Sequence, residues 1–188
     1  ATWATSRSER AMMSDFTSAT VYGAGFEPVW LTLRKSIEKL DFNNDGINNT
    51  QDVWDAVNQN ITGYADGYIL TALAPSSAGA DSLIALVAEV TPQEPLITFR
   101  TNSYPDAIPG DNLYAANYEI KRNNHNHYCP RYNAVKLALG EGTGIGLEEN
   151  WQIMRDYSNS GVGNIQFMQF SPESDLFRIS VFRENAPA

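Results

Sequence analysis

The chain of 188 residues has one cysteine, two histidines and no long hydrophobic run. Its single cysteine, Cys129, cannot form an intrachain disulfide or a thiolate metal cage. No apolar stretch approaches the ~20 residues that a membrane-spanning helix needs, so we expect no membrane span. Basic residues are also scarce, because 13 Lys and Arg stand against 22 Asp and Glu, which gives a net charge of −9. Since such a surface repels phosphate backbones, we expect no nucleic-acid partner.

Hydrophobic periodicity changes between helical and strand-like along the chain, and there is no internal repeat. With 43% hydrophobic and 11% aromatic residues, the sequence has enough apolar mass for a folded core. Helices and strands do not alternate strictly, and the last two strand-like segments form a hairpin. We therefore expect an α+β fold of mainly antiparallel sheets with packed helices. The predicted helices are 8–16, 28–40, one that begins with Thr50 as its N-cap, 130–139 and 147–157, and the predicted strands are 67–74, 82–90, 96–100, 113–120, 164–170 and 176–182.

Segment 41–52 matches an EF-hand calcium loop at its liganding positions. Such a loop supplies oxygen ligands from positions one, three, five, seven, nine and twelve, with a glycine at position six for a sharp turn. Gly46 stands at position six, and Ile47 at position seven offers its backbone carbonyl while its side chain is expected to pack inward. Helical patterns flank the loop on both sides. We therefore predict a structural Ca²⁺ site whose ligands are Asp41, Asn43, Asp45, Ile47, Asn49 and Asp52.

The twelfth position of this loop is an aspartate rather than the usual glutamate. The pattern Asp-x-Asn-x-Asp-Gly-x-x-Asn-x-x-Asp resembles the calcium loops of dockerin domains, which are extracellular. Dockerins carry two such loops and this chain has one, so a dockerin-like partner module is the third hypothesis for the protein. The plain alternative is an Asn- and Asp-rich surface turn without an ion. The ion's expected task is to fix the angle between the flanking helices, since a lone loop is poorly suited to be a sensor.

The loop divides the chain into an N-terminal segment 1–26, a helix–calcium loop–helix element 27–62 and an α+β portion 63–188. We expect these three to form one integrated domain. A weak calcium site, a lone cysteine and a start at Ala1 in place of Met together favour a secreted or cell-surface protein. The glycosylation sequons at Asn48 and Asn60 are interpreted as chance occurrences in an Asn-rich chain.

Short motifs in the C-terminal half suggest a family. A strand-like segment reads Ala116-Asn117-Tyr118, and a later helix opens with Arg131-Tyr132. A terminal hairpin follows at 165–181. This order of motifs resembles the acid-ceramidase and penicillin-acyltransferase-like N-terminal-nucleophile hydrolases, over roughly residues 25–183.

The resemblance implies a four-layer αββα fold and the hydrolysis or transfer of an amide-linked acyl group. In those families a mature N-terminal residue attacks the carbonyl, and its own α-amine acts as general base. By position, Asn117 would donate a hydrogen bond to the oxyanion. Arg131 would orient the site or bind a carboxylate. These two are the predicted catalytic residues of this chain.

The start of the chain carries no such nucleophile, because Ala1 has no reactive group and Thr2 is not terminal. We therefore expect the nucleophile on a separate upstream chain of the same precursor. This chain would then be the calcium-stabilised C-terminal fragment of an amide hydrolase or acyltransferase. The alternative is a non-catalytic extracellular calcium-binding structural or surface-assembly subunit, whose partners would be copies of itself. The sequence leaves open whether the protein is an enzyme.

Two further sequence patterns are weaker evidence for a functional site. His125, His127 and Cys129 could ligate zinc or copper or form a Cys-His pair, but no fourth ligand or orienting group is identifiable, and a solvated loop is the favoured interpretation. The glycine-rich segment 140–146 lacks a lysine and follows a helix rather than a strand. It is therefore interpreted as a helix C-cap and loop rather than a phosphate site.

Overall fold

The computed structural model describes residues 2–7, 25–59, 62, 64, 68–74, 84–90, 95–101, 112–115, 121, 130–157, 166–171 and 173–181. These residues form helices and antiparallel sheets, which confirms the α+β class. In chain order the elements are β1 (Thr2–Arg7), α1 (Val29–Glu38), α2 (Thr50–Asn58), β2 (Tyr68–Leu73), β3 (Ala85–Val90), β4 (Ile97–Thr101), α3 (Pro130–Leu139), α4 (Leu147–Tyr157), β5 (Gln166–Ser171) and β6 (Leu176–Val181).

The larger sheet has four antiparallel strands in the order β1-β2-β3-β4. Its edge strand β1 was not predicted, and it pairs with β2 from Thr2 opposite Leu73 to Arg7 opposite Tyr68. Segment 1–26 therefore contributes a strand to the same sheet as portion 63–188. The division into three parts stays a prediction, and the helix predicted at 8–16 lies outside the described residues.

Helix α2 covers one face of this sheet. Its apolar residues Val53, Ala56 and Val57 follow the helical period, so they share one side of the helix, and all three are buried. Trp54 lies beside them and stacks on Phe99 of β4, with ring centroids 3.8 Å apart. The buried core cluster on this face comprises Leu33, Val53, Val57, Tyr64, Tyr68, Leu70, Ala72, Leu86, Ala88, Val90 and Phe99.

Helix α1 packs on α2 and leads into loop 41–52. Leu33 of α1 is buried, with 1% of its surface exposed. The helix was predicted to reach Leu40. Leu40 lies instead beyond the end of α1 and is 54% exposed, because the helix stops at Glu38 and the chain turns into the loop.

Helices α3 and α4 form a second unit with the hairpin β5-β6. Gly140 ends α3 with a positive φ of 58°, and Gly142 donates its N–H to the carbonyl of Leu139 at 2.9 Å, so the glycine-rich segment acts as a helix C-cap as predicted. Buried Tyr132, Val135 and Leu139 of α3 pack with Tyr114, Ile145 and Ile153.

The hairpin β5-β6 is attached to α4 by polar contacts. Gln169 donates its amide N–H groups to the carbonyl of Leu147 at 2.7 Å and to Asn150 Oδ1 at 3.1 Å. Arg178 binds the carboxylate of Glu148 and lies 5.0 Å above the ring of Trp151. The hydrogen bonds from Arg178 hold the pKa of the Glu148 carboxyl below its ordinary value.

The strand predicted at 113–120 is wrong in its described part. Residues 112–115 have no regular secondary structure. The Tyr114 carbonyl accepts a hydrogen bond from Arg100 of the sheet at 3.0 Å, and the Asn112 side chain donates to the carbonyl of Gly142 at 2.8 Å. Within the described ranges, no helix is both long enough and apolar enough to cross a membrane.

Candidate functional site

Loop 41–52 lies between α1 and α2 and folds its side-chain oxygens back onto its own backbone. Asp41 accepts the N–H groups of Asp45 at 3.0 Å and of Gly46 at 3.2 Å. Asn43 Oδ1 accepts the same Asp45 N–H at 3.0 Å, and Asp45 Oδ1 accepts the N–H of Ile47 at 2.7 Å. The oxygens of positions one, three and five therefore point toward the inside of one tight turn.

Two residues with positive φ make this turn possible. Asn44 has φ 61° and Gly46 has φ 82°, and both values lie in the left-handed region that favours glycine and asparagine. An added Cβ on Gly46 would meet no atom within 4 Å. Glycine is required here by the backbone angle and not by crowding, as the predicted sharp turn at position six demands.

Asp52 closes the loop from its other end. Its carboxylate is 1% exposed and accepts the N–H of Phe42 at 2.7 Å, the N–H of Asn43 at 3.4 Å and the N–H of Asn49 at 3.0 Å. The bond to Asn49 is one half of a capping box at the start of α2. The buried carboxylate thus ties the first residues of the loop to the last, and its coordination of an ion stays a prediction.

The N-cap of α2 is Asn49 and not Thr50 as predicted. Asn49 Oδ1 accepts the N–H of Gln51 at 2.6 Å, and Thr50 is the first helical residue. The sequence offered two capping residue types side by side, and the reciprocal bond with Asp52 selects Asn49 because only it stands three residues before an acidic N3. Asn49, at position nine of the loop, therefore caps α2 in addition to its predicted role as a calcium ligand.

The mouth of the loop can offer oxygens to a cation. Asn43 and Asp45 are exposed and Asp41 is half-buried, and each accepting oxygen has two lone pairs. Ile47 is 44% exposed, so the expectation that its side chain packs inward is wrong, while its carbonyl remains the predicted ligand. Among the described residues, no group of three or more His, Cys, Asp or Glu side chains is placed to hold a metal ion. The predicted set combines the carboxylates of Asp41, Asp45 and Asp52 with amide and carbonyl oxygens, a mixture that hard cations accept.

A buried ion pair that was not predicted lies in the larger sheet. Glu89 on β3 and Arg100 on β4 are both fully buried, and Arg100 Nε donates to Glu89 Oε1 at 2.8 Å. Thr98 donates its hydroxyl to Glu89 Oε2 at 2.9 Å. The signal in the sequence was a single acid inside the otherwise apolar run 83–90, followed by a single base in the next strand. Charged residues are almost never fully buried unless they are paired. A buried Glu89 therefore needs a basic partner, and Arg100 is that partner.

This ion pair holds a segment outside the sheet. Arg100 donates through Nη2 to the carbonyl of Tyr114 at 3.0 Å, and Glu89 Oε2 accepts the backbone N–H of Lys121 at 3.1 Å. Lys121 returns a hydrogen bond from Nζ to the carbonyl of Phe99 at 2.7 Å. The backbone on both sides of the predicted oxyanion residue Asn117 is therefore fixed to β3 and β4.

A cavity of about 420 Å³ lies between the larger sheet and the unit formed by α4 and the hairpin. Its described lining is mainly aliphatic, aromatic and methionine side chains, with Thr71, Asn150 and Gln169 as the uncharged polar members. No Asp, Glu, Lys, Arg or His is found among these lining residues. The cavity therefore suits an apolar group and not an ionic one.

Two buried tyrosines on the opposite face of the sheet have a structural role. The Tyr64 hydroxyl donates to the carbonyl of Val57 at 3.0 Å, and the rings of Tyr64 and Tyr68 meet edge to face at 5.4 Å. Burial raises the pKa of both hydroxyls, so both stay protonated at neutral pH. Neither group can act as a base there.

The predicted catalytic residues are placed only in part. Arg131 lies in the first turn of α3, and its side chain is outside the described residues. Asn117 and the cluster of His125, His127 and Cys129 also lie outside them. The catalytic roles of Asn117 and Arg131 therefore stay predictions. Comparison with protein-family models, with curated proteins and with solved structures finds no match to the chain.

Proposed function

We propose that loop 41–52 binds one Ca²⁺ and that the ion stabilises the α1–α2 pair. The observation that carries this proposal is the convergence of Asp41, Asn43 and Asp45 on one turn, whose left-handed Gly46 stands at the required position. The proposed ligands are these three side chains, the carbonyl of Ile47, Asn49 directly or through water, and Asp52. Because the ion would neutralise two negative charges in a confined loop, it would stabilise the folded state.

Calcium is expected to raise the melting temperature of the protein. At a free concentration of about 100 times the dissociation constant, the ion adds ~2.7 kcal/mol of stability. For a chain of this size that corresponds to roughly 5–10 °C in Tm. A thermal melt in calcium against a melt in chelator measures the shift, with equimolar Mg²⁺ as the control for ionic effects. Equal midpoints in calcium and chelator would contradict the proposal.

For the wider activity we propose the C-terminal fragment of an amide-bond hydrolase or acyltransferase whose nucleophile lies on a separate upstream chain. The observation that favours it is the apolar cavity, whose wall includes Leu113, Tyr114 and Ala115, a segment that ends two residues before Asn117. An apolar acyl group in this cavity would place its carbonyl toward that segment. Asn117 would donate to the oxyanion, and Arg131 would orient the site or bind a carboxylate.

The upstream chain is the decisive element of this second proposal. Native protein purified from its source is expected to contain a second polypeptide that begins with Cys, Ser or Thr, visible by intact mass and N-terminal sequencing. That assembly should hydrolyse an N-acyl amide, and this chain alone should not. A native preparation that contains only copies of this chain, with no amide hydrolysis, would favour the non-catalytic calcium-binding structural or surface-assembly subunit instead.

A secreted or cell-surface location is proposed with both functions. Extracellular calcium modules bind their ion in the 10⁻⁴–10⁻³ M range, and the mixed set of carboxylates and neutral oxygens in loop 41–52 suits that range. Such a site would be filled where calcium is millimolar.

A further inference from the structure

We infer that the buried ion pair of Glu89 and Arg100 is a positioning pair, which fixes segment 112–121 against the larger sheet and thereby places Asn117. This deepens the proposal of amide hydrolysis by naming residues that act through the predicted oxyanion donor. The inference rests on that proposal for its catalytic consequence, whereas the fixing of the segment rests on the contacts of the two charged side chains.

The location of the pair does not suit a purely stabilising role. Glu89 alternates along β3 with Ala88 and Val90, which belong to the core beneath α2, so it lies on the other face of the sheet. Both charged side chains are fully buried there. Because moving charges out of water is costly, apolar residues of similar volume often serve stability equally well. The pair provides hydrogen bonds to polar backbone groups, which apolar side chains cannot make.

Each charged side chain bonds to one end of segment 112–121. Arg100 Nη2 donates to the carbonyl of Tyr114 at 3.0 Å, and Glu89 Oε2 accepts the backbone N–H of Lys121 at 3.1 Å. The two ends are coupled, because Arg100 Nε donates to Glu89 Oε1 at 2.8 Å. Lys121 adds a hydrogen bond from Nζ to the carbonyl of Phe99 at 2.7 Å. The sheet therefore holds the segment at two points through one charged pair.

The described start of the segment depends on side-chain contacts for its position, because residues 112–115 have no regular secondary structure. Asn112 donates from Nδ2 to the carbonyl of Gly142 at 2.8 Å, and the rings of Tyr114 and Tyr132 stack with centroids 5.5 Å apart. These contacts tie the stretch to α3 and to the loop after it, whereas Arg100 ties it to the sheet. Arg100 therefore sets the position of this stretch relative to β4.

Asn117 lies between the two fixed points, three residues after Tyr114 and four residues before Lys121. A misplacement of about 1 Å in a catalytic group can cost about 100-fold in rate. A donor to an oxyanion acts in the transition state and contributes little to substrate binding. Loosening of the two fixed ends should therefore lower kcat and leave KM nearly unchanged.

The first measurement is amide hydrogen exchange on the full chain, read by mass spectrometry. The buried-pair variant is Glu89→Met with Arg100→Met, which removes both buried charges. The matched control is Glu38→Met with Arg34→Met, which makes the same two changes in an exposed ion pair. Relative to strands β2 and β3, residues 112–121 should exchange at least about tenfold faster in the buried-pair variant and at the parent rate in the control.

Urea denaturation checks that each variant folds, and a milder variant keeps the test valid if the buried-pair variant does not. Lys121→Met serves this purpose, because Lys121 is exposed and its replacement leaves both buried charges in place. It removes the bond to the Phe99 carbonyl, so segment 112–121 should exchange about threefold faster than in the parent.

The second measurement is amide hydrolysis by the native assembly, in which the buried-pair variant should lower kcat at least about tenfold and change KM less than about twofold. Unchanged exchange of segment 112–121 in a folded variant would overturn the inference, whether or not the assembly hydrolyses amides. An active assembly that keeps the parent kcat despite faster exchange would overturn the placement of Asn117. If exchange is faster and the parent assembly hydrolyses no amide, the fixing of the segment stands and the proposal of amide hydrolysis fails.

Discussion

Replacement of Glu89 by Ala is expected to destabilise the fold by about 3–5 kcal/mol, because it removes the carboxylate that compensates the buried charge of Arg100. Arg100 is fully buried, and it also donates a hydrogen bond to the carbonyl of Tyr114 at 3.0 Å. The same change also removes the acceptor of the Lys121 N–H. Urea denaturation of the variant and the parent, compared through their free energies of unfolding, measures the loss.

The chain offers a matched control for this change. Glu38 pairs with Arg34 at 2.7 Å, but the two side chains are 60% and 70% exposed. Glu38→Ala should therefore cost no more than ~0.5 kcal/mol. The double variant Glu89→Met with Arg100→Met should recover most of the loss, since a buried pair replaced by apolar groups is often neutral. If Glu89→Ala and Glu38→Ala proved equally mild, the buried pair would not hold the sheet as described.

Replacement of Asp52 by Ala should cost about 2–4 kcal/mol even in chelator, because a buried acceptor of three backbone N–H groups is lost together with the capping box. Asp55→Ala is the control on the same helix, since Asp55 accepts a hydrogen bond from the side-chain amide of Gln51 at 3.0 Å and caps no backbone group of loop 41–52 among the described residues. Its expected cost is about 0.5–1 kcal/mol. Thermal melts of both variants in chelator and in calcium separate the hydrogen bonds that Asp52 accepts within the loop from its proposed coordination of the ion.

The melts of Asp52→Ala in chelator and in calcium distinguish a structural carboxylate from one that acts only as a calcium ligand. If Asp52 closes the loop through hydrogen bonds, its loss is felt in chelator. If Asp52→Ala destabilises the protein only when calcium is present, the carboxylate acts as a ligand alone and the hydrogen-bonded closure is not what stabilises the loop.

Local patterns predicted the local structure well. The helical period and the cap-and-glycine signals placed α1, α2, α3 and α4, and the strand-like runs placed β2 to β6 within a few residues. The sharp turn at Gly46 was predicted from a glycine at position six of the loop. These features depend on residues that are close in sequence, so a segment of about a dozen residues is enough to predict them.

Features that depend on contacts between residues far apart in the chain were not predicted from the sequence. Strand β1 lies in a Ser- and Thr-rich segment, and its pairing with β2 depends on residues more than 60 positions away. The pairing of Glu89 with Arg100 requires the register of β3 on β4, which no periodicity encodes. The cavity depends on how far the hairpin and α4 stand from the larger sheet, so it could not be predicted from the apolar positions of α4 alone.

A calcium titration by isothermal calorimetry tests most directly whether loop 41–52 binds calcium. The loop variant is Asp41→Asn with Asp45→Asn, which keeps one acceptor oxygen on each side chain but removes two charges. The control is Glu141→Gln with Asp175→Asn, which removes two charges from exposed residues elsewhere. The parent and the control should bind one Ca²⁺ per chain at up to millimolar concentration, and the loop variant should bind at least about tenfold more weakly. No binding by the parent at millimolar calcium, or equal binding by the loop variant, would contradict the account.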